Sequence, residues 1–155
     1  MRLSKNFVLS EITRSNTAKR LGIDNEPTKK DLENLQRIVT NLLQPLRDHL
    51  GPIRISSGYR SKELNRAIGG SNKSQHSKGE AVDIQFWKEG QMCNKEVYDW
   101  IIDNAVEFDQ MINEFDFSWI HISLKKSKNR REVLEAYKDK DGDTKYRYAP
   151  DIITL

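Results

Sequence analysis

The chain has a single cysteine, Cys93, so no internal disulfide can form and stability must come from a packed core. No redox or nucleophile motif surrounds Cys93, which reads as a small buried side chain near a helix start. No stretch approaches the roughly 20 apolar residues of a membrane span, so stable membrane association is not expected. The opening Met1-Arg2-Leu3-Ser4-Lys5-Asn6-Phe7 lacks the apolar run of a secretory signal, and a product that is cytoplasmic as synthesised is expected. Repeats, low-complexity tracts and linkers are also missing. Charge of one sign is not in excess: 26 basic residues face 23 acidic ones, mixed along the chain, for a net charge of +3. Such a balance does not indicate a nucleic-acid partner.

What remains is a polar but foldable composition, 36% hydrophobic and 32% charged, over 155 residues. That length suits one domain, here 1–155 with a core over about 7–148. Residues 1–27 read as an irregular arm with short helical pieces. Thr28 is placed to cap a helix, with Asp31 at its third position. Leu32, Leu35, Ile38, Val39, Leu42 and Leu46 then recur at helical spacing, with a kink expected at Pro45 and a stop at Gly51-Pro52. Alternation predicts strands over 53–56, 81–86, 108–115, 119–124, 131–137 and 145–148, and spacing predicts helices over 61–68 and 94–105. Helices come early and strands cluster late, the α+β pattern, with a small antiparallel sheet packed against helices. The turn Asp139-Lys140-Asp141-Gly142-Asp143 resembles a calcium loop, but its glycine comes too early and no glutamate closes it.

The chemistry concentrates in Ser74-Gln75-His76-Ser77-Lys78-Gly79-Glu80-Ala81-Val82-Asp83 and in Trp119-Ile120-His121-Ile122-Ser123. Two imidazoles and a carboxylate are a sufficient ligand set for a catalytic zinc whose fourth position stays open. On one helix, His76 and Asp83 would lie about 10 Å apart along the axis, too far to share an ion. Gly79 between them lets the chain turn back, so a loop followed by a strand can bring them together. His121 can then join from a neighbouring strand, with Trp119 and Ser123 on its face. His49, near a helix end, reads as structural.

At these residues the chain resembles the M15 metallopeptidases, the zinc D-alanyl-D-alanine carboxypeptidases and dipeptidases and the related phage endolysin peptidases. The match is Ser-x-His-x6-Asp at Ser74, His76 and Asp83, then Trp-x-His at Trp119 and His121. Upstream it includes Ser56-Ser57-Gly58-Tyr59-Arg60, Leu64-Asn65 and Gly69-Gly70. Downstream, Phe108-Asp109-Gln110 and Asn129-Arg130-Arg131 look like the short-domain branch, so the resemblance runs over about 7–148. It implies a hedgehog/DD-peptidase-like fold and one Zn2+ per chain held by His76, Asp83 and His121. It implies that Arg60 stabilises a developing oxyanion or binds a substrate carboxylate, and that Ser74 contacts the substrate's polar end.

One position departs from the pattern. Many members carry Glu or Asp three residues before the last histidine as general base, and here that position is Ser118. The nearby carboxylates are Glu114, at a strand end, and Asp116, in the turn, with Glu114 preferred. The expected function is a monomeric zinc peptidase cleaving peptidoglycan stem peptides, as carboxypeptidase or endopeptidase, reaching the wall by phage-type release. The alternative is a catalytically inactive zinc-containing binding module of the same fold, for which the hedgehog signalling domain is the precedent.

Overall fold

The arm at the N-terminus is pinned before the first long helix begins. It forms α1 (Leu9–Thr13) and α2 (Asn16–Leu21) in a computed structural model that describes residues 1–104 and 106–149. Phe7 and Ile12 are buried, and the Gln44 side chain accepts from Ser4 Oγ and the Asn6 amide. The Thr28 hydroxyl accepts from the Asp31 amide at 3.1 Å and starts α3 (Lys29–Ile38), the cap expected there. The helix then widens into a π-helical turn (Val39–Leu43) before α4 (Gln44–Leu50). Pro45 explains the widening. It has no N–H to give to the Asn41 carbonyl, and its ring would crowd that carbonyl in a tight turn. The chain absorbs the proline as a bulge, with the Gln44 amide bonding the Val39 carbonyl, and the helical stripe continues past it. Leu35, Ile38, Val39, Leu42, Leu43 and Leu46 are all fully buried.

The strands are β1 (Ile53–Ser57), β2 (Ala81–Lys88), β3 (Gln91–Met92), β4 (Gln110–Glu114), β5 (Trp119–Ser123), β6 (Glu132–Lys138) and β7 (Thr144–Tyr148). Two further helices, α5 (Lys62–Ala67) and α6 (Asn94–Asp103), lie between them. Ala105, which the spacing placed in the last of these helices, lies outside the described residues, as do residues 150–155 of the expected domain. The sheet order is β1-β2-β5-β4-β6-β7, with β3 paired to the far end of β2. The expected antiparallel pairing holds for every pair except β4 and β6, which run parallel. The fold is therefore α+β with a mixed sheet.

Each strand divides its residues between two faces. Val82, Ile84 and Phe86 of β2 join Ile120 and Ile122 of β5 and Met111 of β4 on the face covered by α3, α4 and α6. The opposite face is open and carries Asp83, His121, Ile112 and Glu114 in adjacent rows. Between β4 and β5, Phe115, Asp116 and Phe117 all take the left-handed conformation, with φ of 51°, 55° and 60°. Residues other than glycine pay for that backbone, so the turn must be held. Asn113 Oδ1 accepts from the Phe117 amide at 2.6 Å, Asn94 Nδ2 donates to the Phe117 carbonyl at 2.7 Å, and Ser118 Oγ donates to the Phe115 carbonyl at 2.8 Å.

Cys93 is half-buried at the start of α6 rather than fully buried, and its thiol points to the Gln91 carbonyl. His49 lies in the last turn of α4 against Trp100, with ring centroids 5.0 Å apart. In the β6–β7 turn, Asp139 Oδ1 accepts from the amides of Asp141 and Asp143, both at 2.9 Å, so that carboxylate closes the turn. No helix among the described residues is long and apolar enough to cross a membrane.

Truncating Leu42, fully buried at the π-helical turn, should cost about 2–5 kcal/mol. Urea denaturation of Leu42→Ala checks this, with a lowered midpoint and an unchanged slope expected.

Candidate metal centre

His76 is delivered by a loop. Ser74 Oγ accepts from the His76 amide at 3.2 Å and opens a short 3-10 turn over Gln75–Lys78. The turn ends at Gly79 with φ of 73°. A Cβ there would sit 2.4 Å from the Asp31 carbonyl oxygen, so the loop packs onto α3 only with glycine at this position. Asn34 of α3 seals the contact by donating to the Lys78 carbonyl at 2.8 Å. The imidazole is buried, and its Nδ1 lies 2.8 Å from the Gly58 carbonyl oxygen. A carbonyl can only accept, so Nδ1 carries the proton and the Nε2 lone pair is left facing Asp83.

Asp83 and His121 are direct cross-strand partners on β2 and β5. Asp83 Oδ1 lies 3.0 Å from His121 Nδ1 and 3.4 Å from His76 Nε2. Burial pushes the Asp83 carboxyl up, but the two imidazoles outweigh it and hold the group well below the usual carboxylate range. One donor atom from each of the three residues lies within 4.8 Å of the others. A tetrahedral zinc with bonds of about 2.0–2.2 Å separates its donors by roughly 3.4 Å, so this spacing and this N,N,O donor set fit that ion. The loop-then-strand route through Gly79 is the one expected from the spacing.

The three donors open into a cleft of about 670 Å³ on the exposed sheet face. Arg60, Ser74 and Glu114 line it with them. Arg60 is half-buried beside the loop, its amide bonds the His76 carbonyl at 3.2 Å, and its Nε is buried without a partner. Burial lowers its pKa, and the nearby Asp83 charge opposes that. The Ser74 oxygen is occupied in capping, which leaves its proton free to donate into the cleft.

Glu114 is 8% exposed and sits one row along from Ile112, the residue paired with His121. Burial raises its carboxyl to about 7, a nearby His121 lowers it and Asp83 adds to the rise. Asp116 does not join the group. It lies exposed in the left-handed turn, outside the residues that line the cleft. Ser118 is likewise absent from the lining, and its hydroxyl is spent on the Phe115 carbonyl.

Two features were not read from the sequence. The first is Asp109, fully buried, which binds Arg130 through the Arg130 amide, Nε and Nη2 at 3.0, 3.2 and 2.9 Å. The two segments quoted for the resemblance, around Asp109 and around Arg130, are thus joined by an ion pair. Asp109 also accepts from Gln75 Nε2 at 3.0 Å, which ties the His76 loop to the residue that leads into β4. Burial pushes Asp109 up, but Arg130 prevails and holds it at about 2. The second is the far wall of the cleft, built by Lys138, Thr144 and Tyr146 of the β6–β7 hairpin. Burial raises the Tyr146 hydroxyl pKa, and Glu114 adds to it. Alternation along β7 puts Thr144 and Tyr146 on one face, which was the available signal.

Two outcomes follow from this geometry. Elemental analysis should find one zinc per chain, and a zinc concentration 100 times the dissociation constant should stabilise the fold by about 2.7 kcal/mol. His76→Ala, Asp83→Ala and His121→Ala should each abolish that gain. Asp109 is depressed in the folded state, so its contribution is complete above the unfolded value of about 3.9 and is lost as pH falls towards 2. Acid denaturation of Asp109→Asn should therefore show a flatter loss of stability over that window than the parent.

Among known proteins, no curated sequence matches the chain. A family model, Peptidase M15, matches residues 5–123. The match is shorter at its C-terminal end than the span read from the motifs, and it stops before the β6–β7 hairpin. It nevertheless runs from the docked arm through His121 and takes in Arg60, Ser74, His76, Asp83 and Glu114 on the way: the chain belongs to the M15 peptidase family.

Proposed function

We propose that this peptidase is zinc-dependent and cleaves peptidoglycan stem peptides, as a carboxypeptidase or an endopeptidase, with Glu114 as its general base. The observation that carries the reading is the convergence of His76, Asp83 and His121 beside Glu114 in one open cleft. Zinc held by His76 Nε2, Asp83 and His121 Nδ1 would supply Lewis acidity, polarising a carbonyl and acidifying a water. Glu114 then takes the proton from the attacking water and passes it to the leaving amine. Its burial supports this assignment, because a carboxyl raised to about 7 accepts a proton far better than an exposed one. Arg60 faces the charge that develops on the carbonyl oxygen, or a substrate carboxylate, with an Nε that the fold leaves unpartnered. Ser74 donates its hydroxyl to the polar end of the peptide.

In this reading the enzyme works as a monomer outside the cell that makes it, released by a phage-type lesion. The second reading, an inactive zinc-containing binding module, draws on Ser118, which stands where many relatives carry a carboxylate. Glu114 answers that objection from the adjacent strand, four residues earlier.

Zinc-loaded protein assayed against peptidoglycan and short D-Ala-D-Ala peptides tests the proposal. Glu114→Gln should keep its zinc and lose turnover by about 10²–10⁴-fold. Zinc retention with unchanged turnover would remove Glu114 as base, and a wild type without turnover would favour the binding module. A bound cation pulls the Glu114 value downward, so kcat/KM should fall on acidification at or below pH 7. A pH profile of residual activity in Glu114→Gln should lack that limb.

A further inference from the structure

A second cavity, of about 520 Å³, adjoins the cleft on its β1 side, and Arg60 lines both. Its walls bring Arg14, from the segment joining α1 and α2, and Arg54, from β1, around the same space as Arg60. Neutral polar residues, Ser15, Asn16, Thr17, Ser56 and Ser57 among them, also line it, and among the described residues no Asp or Glu does.

The three guanidiniums differ from Arg130, which lines the cleft, and from Arg147, which lies on β7 outside its lining. Arg130 is held by Asp109, and Arg147 on β7 is paired with Glu135. Arg14, Arg54 and Arg60 make no side-chain hydrogen bond or ion pair among the described residues, and the Arg60 Nε is buried without a partner. Three like charges around one concavity repel one another and raise the local potential, so the arrangement favours an anion that brings acceptors to them. Guanidinium forks match a carboxylate in two parallel bonds.

The position fixes which anion. Arg54 pairs across the sheet with Gln85, on the face that also carries Asp83, and Ser57 pairs with Asp83 itself. A chain whose scissile carbonyl lies at the His76, Asp83 and His121 donors and which runs towards β1 must pass Arg60 and lie over Arg54 and Arg14. We infer that this cavity is an anion subsite of the same cleft, taking a carboxylate of the peptide on the β1 side of the bond that is cut. The nature of the ligand rests on the peptidase reading, whereas the cationic cavity does not.

Calorimetry on zinc-loaded Glu114→Gln protein separates the two. The probes are stem-type peptides in pairs, identical except that an acidic side chain flanking the scissile bond is a carboxylate in one and a carboxamide in the other. One pair carries the acid on the amino side and one on the carboxyl side, and inorganic phosphate is titrated alongside. In one of the pairs the carboxylate peptide should bind on the order of tenfold more tightly. Adding Arg14→Gln and Arg54→Gln, both at exposed positions that leave the core intact, should bring that pair to parity. Equal affinities in both pairs, with wild-type protein cleaving the peptides, would overturn the subsite and leave the peptidase standing. Discrimination that depends on Arg14 and Arg54, in a wild type that cleaves none of the peptides, would keep the subsite and remove the peptidase reading. Phosphate binding lost in the arginine variants, without discrimination between paired peptides, would overturn the carboxylate assignment.

Discussion

The register between β2 and β5 is the constraint on which the site depends. Asp83 faces His121 because Val82 and Ile84 on one strand, and Ile120 and Ile122 on the other, are driven to the opposite face by burial. A strand alternates with period two, so slipping β2 by one residue against β5 would turn Asp83 into the core and bring Val82 and Ile84 to the open face. The apolar side of the sheet thus sets the geometry of the polar side. The helical layer matters to the chemistry for the same reason: α3, the π-helical turn and α4 supply the surface against which those isoleucines and valines are buried.

His76 needs a different device, since it lies on no strand. Its loop is held from three directions: by α3 through Asn34 and the close approach at Gly79, by Gly58 through the ring itself, and by Asp109, just before β4, through Gln75. The last contact gives Asp109 a role that its distance from the donors would not suggest. Removing its charge would leave Arg130 with only its longer contact to Glu132, at 3.7 Å, and would slacken the residue next to His76 in the chain.

The sequence carried much of this, and the losses have physical causes. Thr28 with Asp31, the apolar stripe from Leu35 to Leu46, and the glycine between His76 and Asp83 are local signals that depend on residues a few positions apart. The parallel pairing of β4 with β6 is not local, and a half-buried strand alternates in the same way whichever direction its neighbour runs. Asp109 and Arg130 lie 21 positions apart, so only the fold reveals their pairing. Glu114 and Asp116 were both within reach in the linear chain. The turn separates them, because its left-handed backbone keeps the first on the cleft wall and lifts the second into solvent. Tyr146 and Lys138 read as ordinary residues of an exposed hairpin, and no nearby motif marked them.

That turn has a further consequence. Glycine would adopt its backbone without strain, yet it carries two aromatic rings, and they go to opposite sides of the sheet. Phe115 stands in the cleft wall against Trp119 and beneath the Lys138 ammonium, while Phe117 packs edge-on to Tyr98 of α6. The loop is therefore a rivet through the sheet, with one head in the binding surface and one in the core. Loosening either head would be felt at the other, so a substitution at Tyr98, far from any ligand, has a mechanical route to Glu114.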